Sequence, residues 1–201
     1  MIIKKQENLN IQEIINFLEE GKTLVYPTET VYGLGCDATN QEAVDKIFTI
    51  KKRQQEKSVL MIVADLAMML KYIEWTPKLQ ELSDKYWPGP LTIVAPIKFR
   101  NNLAQGVIAK DNTVAFRVTD HPLAHELSKQ LGKPIVSTSA NITQMSNPYE
   151  IEDILKIYQN EKEQPDLIID GGILPHQSPS TIIKLVGEKV IILRQGELVI
   201  K

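Results

Sequence analysis

A mixed α/β fold is what this sequence predicts, and three observations predict it. Short apolar, β-branched runs such as Leu24-Val25-Tyr26, Ser58–Val63 and Ile182-Ile183 recur along the chain. Between them lie longer stretches in which apolar residues return every three or four positions, the period of an amphipathic helix. Glycine, proline and capping residues mark nearly every boundary between the two kinds. Strands alternating with helices imply helices packed on a sheet, α/β or mixed α+β, and the pattern reads as one sheet. At 201 residues, 43% hydrophobic and 24% charged, the chain reads as a single domain over 1–201 with globular composition. A chain of this size buries about 70% of the surface its unfolded form exposes, enough for a real core.

Asn10 reads as a helix N-cap with Glu13 as the reciprocal half of a capping box. Ile11, Ile14, Ile15 and Leu18 then share one face, and Gly21 sits at the C′ position. A strand at about 23–26 stops at Pro27, and the polar loop Thr28-Glu29-Thr30 leads to Gly33 and Gly35. A helix over about 41–51 turns Ala43, Val44, Ile47 and Phe48 inward. It ends in Lys51 and Lys52, where cations suit the negative end of the helix dipole. Ser58–Val63 is a buried strand and Asp65 to about Tyr72 a helix. Thr76-Pro77 caps and starts another helix, which stops before the rigid turn Trp87-Pro88-Gly89-Pro90. Leu91–Ala95 is a strand, and residues 97–112 are polar and irregular, a candidate flap. In Thr113–Val118, Val114, Phe116 and Val118 point one way and Thr113, Ala115 and Arg117 the other. The arginine face either meets solvent or lines a pocket. Asp120 caps a helix over about 122–131, closed by Gly132. Pro134–Val136 is a short strand running into Ser137-Thr138-Ser139-Ala140-Asn141. Five small or polar residues at a strand's carboxyl end lie where α/β sheets bind ligands. A helix near 149–159, a strand at Leu167–Asp170, and a hairpin of strands 180–185 and 189–193 turning at Gly187 complete the order, followed by Arg194-Gln195-Gly196.

A net charge of −2 argues against a broad basic face for long nucleic acid and leaves room for a local basic patch. The single cysteine, Cys36, allows neither a disulfide framework nor a zinc knuckle. Beside two glycines it reads as a small buried residue, since no histidine is placed to activate it. The N-terminus lacks an apolar signal core, and no run approaches the ~18 apolar residues of a membrane span. A cytoplasmic protein with no membrane contact is expected. A P-loop is missing, and Gly33–Ala38 fails the GxGxxG pattern. His121 and His125 lie four apart without the glutamate of HExxH, so no protein-held metal is expected.

What remains is a set of hydroxyls, an amide and cations: Thr28, Thr30, Arg53, Lys57, Thr113, Arg117, Ser137, Ser139, Asn147, Ser180 and Arg194. Arginine grips phosphate or carboxylate through two parallel bonds, and lysine acts as a point charge. In phosphoryl or nucleotidyl transfer the protein mainly positions groups and neutralises charge, usually with Mg²⁺. The lack of an obvious general base therefore does not exclude an enzyme.

The motifs YPTETVYGLGCDA, the KxR of Lys51 and Arg53, WPGPLT, VAFRVTDHP, PIVSTSAN, and the late PST with RQG occur in this order over about residues 23–196. Together they resemble the YrdC-like family of threonylcarbamoyl-AMP synthases, in its short single-domain bacterial form. The resemblance implies an open twisted sheet of mixed strands with helices packed on it and a concave, positively lined pocket. It implies condensation of L-threonine, bicarbonate and ATP, with Mg²⁺, to threonylcarbamoyl-AMP and pyrophosphate. Partner proteins would then transfer the threonylcarbamoyl group to the adenosine beside the anticodon of tRNA. Carried onto this sequence, Thr30 and Arg117 would contact threonine, with Ser137 and Ser180 beside them. Arg53, Lys57, Thr113, Ser139, Asn147 and Arg194 would contact ATP, and Lys51, Arg53 and Lys57 would stabilise charge in catalysis. Many members carry a proline where this chain has Ser58, which bears on the pose of Lys57.

Two other readings fit the same residues. One is a binding module for structured RNA, of the ribosome-maturation kind, built on Lys51, Lys52, Arg53 and Lys57; near-neutral charge and few aromatic runs weigh against it. The other is a related carbamoyl or nucleotidyl transferase that uses a different amine.

Overall fold

In a computed structural model of the protein, residues 1–99 and 101–200 are described. They form two mixed sheets rather than one. The first runs in the order β1 (Ile2–Lys5), β9 (Leu167–Asp170), β2 (Leu24–Tyr26), β3 (Gly33–Gly35), β8 (Thr138–Ser139). The second runs β11 (Lys189–Arg194), β10 (Thr181–Val186), β5 (Leu91–Pro96), β6 (Thr113–Val118), β4 (Met61–Val63), β7 (Ile135–Val136). The chain crosses from the second sheet to the first at Ser137, between β7 and β8. The sheets also touch at Val136, whose N–H donates to Cys36 O at 2.9 Å. Local pattern specifies each strand but not its neighbours, which is why one sheet was expected and two are found.

The helices are α1 (Ile11–Glu19), α2 (Gln41–Lys51), α3 (Leu66–Met69), α4 (Pro77–Tyr86), α5 (Pro122–Leu131) and α6 (Ile151–Tyr158). Capping decides several ends. Asn10, Asn40, Asp65 and Thr76 each accept a backbone N–H three residues on. Gly132 closes α5 at φ 68°. Two caps depart from the sequence reading. Glu13 pairs with Lys4 instead of returning to Asn10. The N-cap of α5 is His121, with no side-chain cap bond, rather than Asp120. The first inner layer joins Ile14, Ile15 and Leu18 of α1 to Leu123, Leu127 and Leu131 of α5 over the sheet residues Leu24, Ile62 and Leu167. The other joins α2, through Val44, Ile47 and Phe48, to Val25, Leu34, Ile93 and Phe116. Leu18 is fully buried, and its truncation to alanine would cost about 2–5 kcal/mol.

Further elements differ from expectation. Strand β1 was not expected, because Ile2, Ile3 and Lys5 are exposed and the strand joins β9 through its backbone. The strand expected over 58–63 is ordered as a strand only at 61–63, and the helix expected to Tyr72 is a single turn. The candidate flap is anchored at several points. Leu103, Ala104 and Val107 are buried, Ala104 donates to Ala38 O, and Val59 donates to Gly106 O. Those anchors hold the segment beside α2 and against Val59, a residue of the cavity described next, though no described residue of 97–112 lines it; Arg100 lies outside the described residues.

Candidate functional site

The concave space between the two sheets holds a cavity of about 340 Å³. Its lower wall comes from the loop before β3, with Thr28, Thr30 and Gly33, and from Ser137, Thr138 and Ser139. The opposite wall is the inner face of the second sheet: Val94 on β5, Ala115 and Arg117 on β6, and Ile182 on β10. Arg53 and Ser58 close one end, and Asn147, Pro179, Ser180 and Arg194 the other. Three arginines line it, and among the described residues no carboxylate does. A chain of net charge −2 thus concentrates positive charge in one small, partly dry space, where it acts most strongly on an anion.

Two glycines make these walls possible through close approach. A Cβ on Gly35 would stand 2.3 Å from Val136 O, blocking the junction of the sheets. One on Gly196 would stand 2.1 Å from Pro179 O and 2.6 Å from Thr181 N, displacing the Pro179–Thr181 backbone that carries Ser180 into β10.

Arg53 is held from behind. Its Nε donates to Lys57 O at 2.8 Å and its Nη2 to Ser58 O at 3.0 Å. The side chain thus ties down the loop that lacks the proline. Arg194 donates through Nε and Nη2 to Ser180 O and through Nη2 to Ser180 Oγ at 3.1 Å, while Ser180 Oγ also meets Thr92 Oγ1 at 2.8 Å. Burial lowers the pKa of both arginines, an effect opposing their charge that a bound anion would reverse.

Arg117 is the most enclosed of the three, at 3% exposure. Its Nη1 lies 3.0 Å from Glu29 Oε1, in an ion pair without hydrogen-bond alignment. Its Nε has no hydrogen-bond partner among the described residues. A buried guanidinium with an unpaired N–H at a cavity wall is costly unless a ligand completes it. Near it the Tyr26 hydroxyl is also buried, with no hydrogen-bond partner among the described residues, and burial raises its pKa.

Of the residues singled out from the sequence, Thr28, Thr30, Arg53, Arg117, Ser137, Ser139, Asn147, Ser180 and Arg194 meet at this cavity. Three do not. Thr113 shares the Arg117 face, as alternation requires, but sits four residues, about 13 Å, further along the strand. It donates to Asp111 at 2.7 Å. Lys57 is exposed and does not line the cavity. Lys51, expected at the phosphates, is 2% exposed and turned into the β8 loop. Its Nζ donates to Ser139 O, to Asn141 O at 2.7 Å and to Asn141 Oδ1 at 3.2 Å. Asn141 Oδ1 in turn accepts from Ser139 Oγ at 2.7 Å. Lys51 therefore acts on the cavity wall from behind. Burial, with Arg53 nearby, lowers its pKa to about 7.

The sequence reading passed over Glu29 and Thr119 as site residues and named Asn141 only as part of the Ser137–Asn141 binding loop. The only signal for Glu29 was an acid between two threonines in a loop of otherwise small polar residues.

The Sua5/YciO/YrdC family, described as telomere recombination, matches residues 16–196. The chain belongs to this family. A threonylcarbamoyl-AMP synthase of Vibrio vulnificus is 36% identical over 190 residues, covering 93% of this chain and 98% of the relative. Among solved structures, P. abyssi Sua5 complexed with L-threonine is similar at TM-score 0.86 and 30% identity over 98% of this chain. The chain spans 57% of that protein's length. E. coli YciO is similar at TM-score 0.81 and 27% identity, over 98% of this chain and 95% of that one. Both likenesses extend over the two sheets that frame the cavity. Among the described residues, no helix is long and apolar enough to cross a membrane.

Proposed function

We infer that the chain is an enzyme that condenses L-threonine, bicarbonate and ATP to threonylcarbamoyl-AMP and pyrophosphate, for threonylcarbamoyladenosine formation in tRNA. The observation that carries this reading is Arg117: a buried arginine on the cavity wall whose Nε has no partner among the described residues, suited to a small carboxylate. The names of the similar synthase and of the threonine-bound relative support the same substrate class.

In this reading one domain over 1–201 holds the whole site. Arg117 and Thr30 take threonine's carboxylate and hydroxyl, with Ser137 and Ser180 beside them. Arg53, Arg194, Ser139 and Asn147 take the ATP phosphates and ribose. Lys57 reaches in when ATP is bound, and Thr113 marks the far end of that wall. Mg²⁺ enters with ATP. With no carboxylate on the wall, its ligands are phosphate oxygens and water rather than protein. The amine of threonine, once deprotonated, captures bicarbonate as a carbamate with loss of water. A carbamate oxygen then attacks the α-phosphate, and pyrophosphate leaves with Mg²⁺. The arginines stabilise the charge that develops in that step. The product is consumed in the cytoplasm by proteins that transfer the threonylcarbamoyl group to tRNA, and RNA contact by this chain is weak.

Pyrophosphate release from MgATP tests the reading. It should require both L-threonine and bicarbonate and need neither tRNA nor a second protein. Release with another amine but not threonine would favour a related transferase with a different substrate.

A further inference from the structure

A guanidinium can grip a carboxylate along two edges, Nη1 with Nη2 or Nε with Nη2. In Arg117 the Nη1 end is met: Nη1 lies 3.0 Å from Glu29 Oε1, without hydrogen-bond alignment. The second edge begins at the unpartnered Nε. Glu29 is itself tethered. Thr119 Oγ1 donates to Glu29 Oε2 at 2.9 Å, and the same hydroxyl accepts the His121 backbone N–H at 3.2 Å. The acid and arginine side chains are 14% and 4% exposed, so solvent screens the pair little. Glu29 does not line the cavity and would touch no ligand there.

We propose that Glu29, held by Thr119, is a positioning residue: it meets the Nη1 end of Arg117 and so holds the guanidinium at the cavity wall, where the carboxylate of the amino-acid substrate binds. This rests on the reading of Arg117 as that carboxylate's partner. Without Glu29 the arginine is a buried charge with no counter-ion, free to swing toward any anion in the cavity, including the phosphates that Arg53 and Arg194 face. The loss then falls on amino-acid affinity and on discrimination for the carboxylate, while ATP affinity is spared.

Steady-state kinetics of Glu29→Gln, Thr119→Val and Thr119→Ser test this, varying L-threonine at saturating MgATP and then the reverse. The probe for carboxylate discrimination is 1-aminopropan-2-ol, an amine with threonine's hydroxyl and no carboxylate. Glu29→Gln should raise KM for threonine about 10- to 100-fold, the worth of a charge-assisted contact, with KM for ATP within about threefold. Its preference for threonine over the amino alcohol should fall by a similar factor. Thr119→Val should move the same constants the same way by a smaller factor, and Thr119→Ser, which keeps the hydroxyl, should restore them. An unchanged threonine KM in Glu29→Gln, a parallel rise in both KM values, or a Thr119→Ser as impaired as Thr119→Val would overturn the proposal. Arg117→Ala separates the two levels. If it leaves threonine KM unchanged, the reading of Arg117 fails. If it raises threonine KM while Glu29→Gln and Thr119→Val do not, only the positioning role fails. Should Glu29→Gln not fold, the contrast between Thr119→Val and Thr119→Ser decides alone.

Discussion

Two hollows open along the same strand, β6, and they could hardly differ more in charge. One, reached from Ala115 and Arg117, holds about 340 Å³ and is walled by three arginines and hydroxyls. The other, past Val118 and Thr119, holds about 700 Å³ and is walled by Leu66, Trp87 and Pro88 with Asp65, Asp84 and Asp120. The larger space repels phosphates and carboxylates, and the smaller attracts them. Volume therefore does not choose the site; the sign of the charge and the unpaired buried donors do. Thr119 stands between the two, on the wall of the larger hollow and bonded to the acid that pairs with Arg117.

The contrast breaks most readily at Arg53. Arg53→Ala should lower turnover about 10²- to 10³-fold, as loss of one preorganised donor does, with a smaller loss in urea unfolding, about 1–3 kcal/mol, from its bonds to the Lys57 and Ser58 carbonyls. A wild-type rate would remove the phosphates from this cavity. Arg117→Ala should raise KM for L-threonine by about 100-fold, the loss of a bidentate charged contact, as read from initial rates.

Lys51 sharpens the comparison from behind the wall. With its folded pKa near 7 and that of a free lysine about 10.4, the folded state releases this proton first. Between those values the unfolded chain binds more protons, so stability rises with pH, by at most about 1.36 kcal/mol per pH unit from this group. Below pH 7 and above 10.4 the contribution is flat. Denaturant titrations across that window should show the rise in the wild-type protein and its loss in Lys51→Met. The smallest effect belongs to the acidic hollow: Asp84→Asn and Asp120→Asn should change the rate by no more than about twofold, as exposed substitutions usually do. A larger change would bring that hollow into the chemistry.

Much of the fold was legible because its signals are local. Asn40, Thr76 and Gly132 end helices through bonds within a few residues, and the alternation in Thr113–Val118 fixed which side chains share a face. Sheet membership was not legible, because a backbone crossing at Ser137 leaves no period in the sequence. The site residues were legible by type more than by place. Lys51 and Arg53 are two positions apart, yet Lys52 between them adopts a left-handed conformation at φ 51°. That turn sends the lysine into the β8 loop and the arginine into the cavity. Alternation likewise gave Thr113 its face but not its distance from Arg117. Glu29 was missed because its role is a contact with a residue 88 positions away, from 29 to 117, which no local pattern reports.

The most direct measurement uses ATP labelled at the α-phosphate. The protein is incubated with it, Mg²⁺ and bicarbonate, with and without L-threonine, and the labelled species are separated. A labelled AMP adduct that forms only with threonine, with one pyrophosphate released for each adduct, is the predicted result. Bound ATP with no threonine-dependent adduct would contradict the account, whatever the cavity's charge.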